Sequence, residues 1–205
     1  MHADTPVILL LAAGEGSRFG GAKQLAPIAG EPMVRRVARM LLETDMPLGV
    51  VTGAYADEVE AVLDDLPLTL IRCEDWRLGM GHSLAAGVHA LMHAFAQATA
   101  VLVCLADQPM RDSESVRAML RRHQQAPDRV LATSLHGTLG PPALFPRDCF
   151  KTLASLSGQH GARAILQQEA QRMELFESEG LGDVDTAEDL RRLQALLDNT
   201  PHPTP

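Results

Sequence analysis

Short apolar runs alternate with amphipathic stretches along the first 125 residues. The runs at 7–11, 49–53, 68–72 and 100–106 predict strands, and residues 32–41, 57–63, 83–95 and 113–124 have the pattern of helices. In the helix that Pro32 opens, Val34, Val37, Ala38 and Leu41 share one face. This alternation is typical of an α/β protein in which helices cover both faces of a parallel sheet.

The pattern changes after residue 125. Short strands at 129–134 and 143–145 are joined through His136-Gly137 and Gly140-Pro141-Pro142, which favours a locally antiparallel arrangement and a mixed sheet. Helices are predicted at 161–169 and 187–197, the second with a capping pair formed by Thr186 and Asp189. We expect one domain over residues 1–200 and a disordered tail at 201–205.

Composition excludes some classes of protein. A chain of 205 residues with 46% hydrophobic residues can bury the core of a single globular domain. Its net charge of −8 argues against nucleic acids and anionic membranes as partners. Three isolated cysteines, an apolar run too short to span a bilayer, and the lack of a basic leader together favour the cytoplasm.

The first strand runs directly into a glycine-rich loop that carries two cations. Gly14 and Gly16 allow backbone N–H groups to approach an anion, and Arg18 and Lys23 add positive charge. The loop lacks the third glycine of a dinucleotide fingerprint, because Phe19 stands there, and it lacks the Gly-Lys-Ser/Thr ending of a P-loop. We therefore interpret this loop as a phosphate-binding loop of another type. The alternative is a flexible turn without a ligand.

Two acids are candidates for a metal site. Asp107 follows the most apolar strand, at the sheet edge where α/β proteins bind ligands, and Asp185 precedes the last helix. Taken singly, each could be a turn or cap residue. Together with a phosphate loop they predict a Mg²⁺–nucleotide site suited to phosphoryl or nucleotidyl transfer.

Other catalytic arrangements have less support. His89 and His93 lie four residues apart on a predicted helix, but without the glutamate of a metalloprotease motif we interpret them as surface residues. The chain has no Gly-x-Ser-x-Gly sequence, so a serine hydrolase is not indicated.

Several motifs in a fixed order resemble the MobA-like nucleotidyltransferases, most closely the molybdenum cofactor cytidylyltransferase branch. They are Leu11-Ala-Ala-Gly-Glu-Gly-Ser-Arg-Phe-Gly20, Lys23, Ala106-Asp-Gln-Pro109, Gly140-Pro-Pro142, Gly161-Ala-Arg163 and Asp183-Val-Asp-Thr-Ala-Glu-Asp189. The resemblance covers nearly the whole chain. It implies a three-layer α/β/α, Rossmann-like nucleotide-diphospho-sugar transferase fold with a mixed, mainly parallel sheet.

The resemblance also implies a reaction and a set of site residues. CMP or GMP would be joined to the phosphate of the molybdopterin cofactor with release of pyrophosphate, and Mg²⁺ would be required. Arg18, Lys23 and Asp107 would be catalytic, and Asp107 and Asp185 would hold the metal. The nucleotide would contact Leu11, Ala12, Ala13, Gly14, Gly16, Ser17, Arg18, Lys23, Gly79, Gly81, Ser83 and Asp107, and the acceptor would lie near Gly140, Pro142, Gly161 and Arg163.

The motifs favour one nucleotide donor but leave the acceptor open. Ala12-Ala13-Gly14 resembles the cytidylyl branch, whereas Ala-Gly-Gly is typical of the guanylyl branch, so CTP is favoured over GTP. Phe19 replaces the usual Met, and Gln159 stands where relatives often have Asp. One alternative is an enzyme that uses another phosphorylated acceptor. A second alternative is a non-catalytic protein that delivers the cofactor to a molybdenum hydroxylase.

Overall fold

The computed structural model describes residues 5–109, 112–135, 137–177 and 182–199. Its strands are β1 Val7–Leu11, β2 Pro27–Ile28, β3 Glu31–Pro32, β4 Leu48–Thr52, β5 Thr69–Arg72, β6 Ala100–Leu105, β7 Val130–Leu135, β8 Thr138–Pro146 and β9 Met173–Glu177. Its α-helices are α1 Met33–Leu42, α2 Ala56–Ala61, α3 Met80–Ala94, α4 Ser113–Gln125, α5 Phe150–Ala154, α6 Arg163–Gln168 and α7 Ala187–Asn199. Short 3-10 turns lie at Lys23–Leu25, Trp76–Leu78, Arg147–Cys149 and Ala170–Arg172.

Seven strands form one mixed sheet in the order β5-β4-β1-β6-β8-β7-β9. Strand β8 runs antiparallel to β6 and β7, and the other neighbouring pairs are parallel. The mixed, mainly parallel sheet is therefore confirmed. After β5 the chain returns across β1 to form β6, which makes the carboxyl ends of β1 and β6 a topological switch point, where α/β sheets bind ligands.

Side chains of β1 alternate between two cores, as the period of a strand requires. Leu9 faces a cluster with residues of α3, α5 and α6, whereas Ile8 and Leu10 face a cluster with residues of α1, α2 and α4. All five residues of β1 are buried, which explains the continuous apolar run in the sequence. The two clusters confirm a three-layer α/β/α arrangement.

A third, smaller core joins the end of the chain to its beginning. Val184 and Leu193 pack with Ile28 and Met33, beside the two-stranded ribbon of β2 and β3. This ribbon is missing from the sequence prediction, because two-residue strands leave no periodic pattern. The Thr186–Asp189 capping pair is confirmed: Thr186 N donates to Asp189 Oδ2 at 2.8 Å, and Asp189 N donates to Thr186 Oγ1 at 3.2 Å.

Several predicted boundaries need correction. Strand β8 spans nine residues, not 143–145, because the register shifts from Ala132↔Ala143 to Thr133↔Gly140 and the ladder skips Pro141 and Pro142. Prolines cannot donate ladder hydrogen bonds, so they are tolerated at such a bulge.

Two further elements differ from the prediction. Two elements have no counterpart among the predicted ones. They are β9, a partly exposed edge strand that pairs parallel to β7, and the short helix α5. Helix α6 is shorter than the predicted 161–169 and begins at Arg163. His136 and the expected disordered tail at 201–205 lie outside the described residues.

No helix in the described ranges combines the length and apolar character needed to cross a membrane. Cys73, Cys104 and Cys149 are all buried thiols outside any disulfide.

Candidate active site

A cleft of about 620 Å³ opens at the switch point between β1 and β6. Two backbone hydrogen bonds fix the strand ends that form its floor: Ala106 N donates to Leu11 O at 3.0 Å, and Ala12 N donates to Val51 O at 2.9 Å. The sequence-predicted residues that line the cleft are Leu11, Ala12, Ala13, Gly14, Gly16, Ser17, Arg18, Lys23, Gly79, Ser83, Asp107 and Asp185. Residues far apart in sequence thus share one cavity.

Gly16 fixes the shape of the glycine-rich loop. Its φ of +66° lies in the left-handed region, and an added Cβ would lie 2.2 Å from the carbonyl oxygen of Gly21. Gly16 O in turn accepts hydrogen bonds from the amides of Phe19 and Gly20, both at 2.9 Å. At Gly14, by contrast, an added Cβ would meet nothing within 4 Å, so this residue faces open space.

Gln24 supports the same loop from inside. This side chain is buried, and its Nε2 donates to Ala12 O at 3.1 Å and also to Gly14 O. The side chain therefore connects the end of β1 to the first glycine. No sequence motif gives Gln24 a role, and its position next to Lys23 is the available signal.

Lys23 lies between the two acids that were predicted to hold a metal. Its Nζ donates to Asp107 Oδ2 at 2.6 Å and to Asp185 Oδ1 at 3.1 Å, although 84 and 162 residues separate the partners in sequence. The Lys23 and Asp107 side chains are only 15% and 18% exposed. Arg18, which is mostly exposed, donates to Asp185 Oδ2 at 2.7 Å.

The pKa values of the buried pair follow from this arrangement. Burial disfavours the charged ammonium of Lys23, but Asp107 and Asp185 outweigh burial and raise the Lys23 pKa above its ordinary 10.5. Burial, assisted by repulsion from Asp183 and Asp185, raises the pKa of the Asp107 carboxyl above its ordinary 3.8, and Lys23 opposes that shift. Lys23 therefore stays cationic across the physiological range.

Gln108 ties the second acidic segment to the sheet. This side chain is buried, and its Nε2 donates to Asp183 Oδ1 at 2.8 Å and to Pro141 O at 3.1 Å. Val184 N also donates to Asp107 O at 2.8 Å. These bonds hold the segment 183–185 against the end of β6, which places Asp185 within reach of Lys23. Gln108 and Asp183 have no assigned role in the sequence analysis.

The second glycine motif is part of a helix rather than a loop. Helix α3 begins at Met80, so Gly81 and Ser83 lie in its first turn, and Gly81 does not line the cleft. An added Cβ at Gly79 or Gly81 would lie 2.4 Å from Gly158 O or 2.7 Å from Ser157 O. These glycines therefore allow the segment 157–160 to pack closely on the start of α3.

The four predicted acceptor residues lie outside the wall of the cleft. Gly140 and Pro142 belong to β8, Gly161 packs against Met80 so closely that an added Cβ would lie 2.8 Å from its Sδ, and Arg163 is exposed at the start of α6. The cleft is also lined by Trp76, Arg77, Gln159 and Asp183, none of which was assigned a role.

His89 and His93 are exposed on α3, as expected for surface residues. Across the described parts of the chain, no group of three or more His, Cys, Asp and Glu side chains is placed to hold a metal on its own. A cation bound at Asp107 and Asp185 would therefore need further oxygen ligands from a substrate or from water.

A nucleotide-sized cleft at the switch point, with cations on a glycine-rich loop facing carboxylates across it, defines a nucleotide-binding enzyme of the α/β class. The chain belongs to the family of the MobA-like NTP transferase domain, whose model matches residues 8–173. It is a nucleotidyltransferase with the nucleotide-diphospho-sugar transferase fold. Asp183 and Asp185 lie beyond the matched range.

Two curated relatives match over most of their length. The chain is 32% identical to nicotine blue oxidoreductase of Paenarthrobacter nicotinovorans over 209 residues, which covers 93% of this chain and 98% of the relative. It is 28% identical to purine catabolism protein PucB of Bacillus subtilis (strain 168) over 193 residues, which covers 88% of this chain and 92% of the relative.

A solved structure, Rv0371c from Mycobacterium tuberculosis H37Rv, superimposes with a TM-score of 0.79 at 26% identity, covering 95% of this chain and all of the other. The complex of Rv0371c with manganese gives a TM-score of 0.72 at 25% identity, covering 94% and 99% of the two chains.

Proposed function

We propose that the enzyme transfers CMP from CTP to the phosphate of the molybdenum cofactor, molybdopterin, and releases pyrophosphate in a Mg²⁺-dependent reaction. The observation that carries this proposal is the Lys23 ammonium, which bonds both Asp107 and Asp185 inside the cleft of the glycine-rich loop. The Ala12-Ala13-Gly14 sequence supports CTP as the donor.

The proposed nucleotide site uses the glycine-rich wall of the cleft. The residues from Leu11 to Ser17 would hold CTP, with Arg18 and Lys23 on its phosphates. Gly79 and Ser83 would lie beside the base and ribose, and Gly81 would act indirectly through the start of α3. Since a triphosphate brings several negative charges, the two cations offset the repulsion that Asp107 and Asp185 would otherwise exert on it.

The carboxylates fit a hard divalent cation. Asp107 Oδ1 is buried without a hydrogen-bond partner, so one oxygen is available for a cation in addition to the one that Lys23 occupies. Asp185 is the second proposed ligand. A manganese complex of the similar Rv0371c supports a divalent metal. Bound there, Mg²⁺ would neutralise charge on the phosphates.

The proposed reaction needs alignment and charge neutralisation more than a base. An oxygen of the acceptor phosphate attacks the α-phosphorus of CTP, a new P–O bond forms, and the bond from the α-phosphorus to the β-bridging oxygen breaks, so pyrophosphate leaves. A phosphate monoester is already anionic near neutral pH and has no proton that must be removed. Lys23 and Arg18 would stabilise the charge that moves onto pyrophosphate.

The acceptor site is the least constrained part of the proposal. The assignment of four residues to the acceptor stays a prediction, and none of them lines the cleft: Gly140, Pro142, Gly161 and Arg163. Asp183 lines the cleft, and the Gln108 side chain bonds both Asp183 and Pro141 O. The Gly140-Pro-Pro142 segment is therefore connected to the cleft wall through Gln108. A transient contact with a molybdenum hydroxylase and a cytoplasmic location likewise stay predictions.

Pyrophosphate release tests the reaction. Purified protein with Mg²⁺, CTP and molybdopterin should release pyrophosphate. His93→Ala, a substitution on the exposed side of α3, should release it at the wild-type rate. Release with GTP and none with CTP would overturn the choice of base. Release only with sugar phosphates, polyol phosphates or phospholactate as acceptors would overturn molybdopterin.

One other function has support from a specific observation, and another stays open from the sequence alone. The name of the 32% identical relative is that of an oxidoreductase acting on nicotine blue. We rank this activity second because Phe19 interrupts the dinucleotide fingerprint. Reduction of nicotine blue by a nicotinamide hydride donor, without pyrophosphate release, would favour it. A non-catalytic delivery protein, the third candidate, would keep cofactor delivery in Asp107→Ala.

A further inference from the structure

Trp76 lines the cleft and lies near Ala13. A Cβ added at Gly53 would lie 2.8 Å from Trp76 Cβ and 2.9 Å from Ala13 Cβ. The absence of a side chain at Gly53 therefore lets the indole approach the loop that follows β1. Trp76 is partly buried against the apolar cluster on the α3 side of the sheet, and it lines the cleft.

Arg77 covers this indole. The centre of its guanidinium lies 4.5 Å from the centroid of the Trp76 ring, and both side chains line the cleft. A guanidinium is planar, and the attraction between its charge and the face of an aromatic ring holds it over that ring. The pair thus presents a flat, cationic surface rather than a freely moving charge.

The charges of the cleft distinguish Arg77 from the other two cations. Arg18 and Lys23 are bonded to Asp185 and Asp107, whereas the described residues provide Arg77 with no carboxylate within bonding distance. Within the described ranges, the Trp76 ring is the contact that holds the Arg77 guanidinium. Because Arg77 is exposed and lines the cleft, its N–H groups and the side of its plane away from the indole can meet a ligand.

We propose that Trp76 and Arg77 form a platform on which the nucleobase of the donor nucleotide stacks, with the guanidinium between the indole and the base. The proposal rests on the function proposed above, since it assigns the base to the Ala13 end of the cleft. Arg18 and Lys23 mark the phosphate end. Nucleobases stack well on aromatic rings and on arginine planes, so the pair suits a flat heterocycle better than a phosphate.

The chain contains a built-in reporter for this platform, because Trp76 is its single tryptophan. Tryptophan emission of the wild-type protein is recorded during titration with CTP, cytidine and inorganic triphosphate. We expect CTP and cytidine to change the emission and inorganic triphosphate to leave it nearly constant. Equal changes with CTP and inorganic triphosphate would make Arg77 an anion site and overturn the platform.

Variants at Arg77 separate a flat surface from a charge. Arg77→Gln should weaken CTP binding at least about fivefold, the smallest effect expected from the loss of one stacking contact, and leave binding of inorganic triphosphate unchanged. Arg77→Lys keeps the charge without the plane and should behave like Arg77→Gln. Wild-type affinity for CTP in Arg77→Lys would overturn the proposal.

Leu78→Ala is the matched control for these variants. Leu78 belongs to the same 3-10 turn, is 53% exposed and does not line the cleft. Its emission and CTP affinity should equal those of the wild type. Circular dichroism of all three variants confirms that the fold is kept.

The failure of the platform and of the proposed function can be told apart. Pyrophosphate release with CTP, combined with unchanged CTP affinity in Arg77→Gln, overturns the platform alone. If CTP gives no release, tryptophan emission is titrated with ATP, GTP and UTP. A change in emission that Arg77→Gln weakens supports the platform, and no change in emission overturns it.

Discussion

The two walls of the cleft are each supported by one buried glutamine, and the two glutamines differ in how far they reach. Gln24 connects carbonyl groups 10 and 12 residues away, within the glycine-rich loop. Gln108 connects to Pro141 and Asp183, which are 33 and 75 residues away. One wall is thus a property of a single segment, whereas the other exists only after three segments have packed together.

This difference explains how the two walls respond to change. The glycine-rich wall depends on backbone conformation, which Gly16 sets locally. The acidic wall depends on long-range hydrogen bonds, and Lys23 is the residue that joins the two. Substitutions in either wall, and at the joint between them, therefore test whether the walls are independent.

The largest effect is expected at the joint. Asp107→Asn removes the carboxylate that Lys23 contacts at 2.6 Å, so Lys23 and any bound cation lose their buried anionic partner. We expect kcat for pyrophosphate release to fall about 10²-fold or more. The matched control is Asp64→Asn, an exposed carboxylate outside the cleft. Activity within a factor of two of wild type in Asp107→Asn would contradict the assigned role.

Gly16→Ala should break the glycine-rich wall alone. The new methyl would lie 2.2 Å from Gly21 O at a φ of +66°, so the loop must move. We expect a loss of about 2 kcal/mol in the free energy of unfolding, measured by urea titration, together with weaker nucleotide binding. Gly14→Ala is the control for the free energy of unfolding, because its methyl meets nothing within 4 Å. Equal losses in the two variants would refute this account.

Much of the glycine-rich wall could be predicted from sequence, because strand β1, its glycines and both cations are contiguous. Asp107 was predicted from its place at the end of an apolar strand, and Asp185 from its place before the last helix, considered together with Asp107 and the phosphate loop. The roles of Gln108 and Asp183 were not predictable, since their bond spans 75 residues and leaves no periodic trace. Trp76 was missed for a similar reason, because only the fold brings it beside Ala13.

Gln108→Leu should loosen the acidic wall and leave the other intact. Asp183 Oδ1 loses its donor at 2.8 Å, so the segment 183–185 is held less firmly. We expect a loss of about 1 kcal/mol in the free energy of unfolding and about tenfold in kcat, with the KM for CTP little changed. Gln24→Leu provides the comparison and should raise that KM instead. Identical kinetic effects of both substitutions would show that the walls are not independent.

The smallest effect is expected at a surface pair outside both walls. Hydrogen bonds from Arg35 lower the pKa of Asp65 from 3.8 to about 2. Since the folded-state pKa is depressed, the stabilisation is complete above pH 4 and is lost as pH falls towards 2. The stability difference between wild type and Asp65→Asn should therefore be small at pH 7 and shrink further by pH 2.5, as measured by urea titration. A difference that grows on acidification would reverse the sign assigned here.

The bond from Val184 N to Asp107 O has a consequence for the order in which the enzyme becomes competent. Asp185 follows all seven strands of the main sheet in sequence, so a ribosome releases the sheet-forming segments before the residue that completes the acidic wall. A nascent chain can thus bury both cores of the sheet while its cleft still lacks Asp185. Catalytic competence would then arise after the sheet has formed, when the segment 183–185 docks onto it.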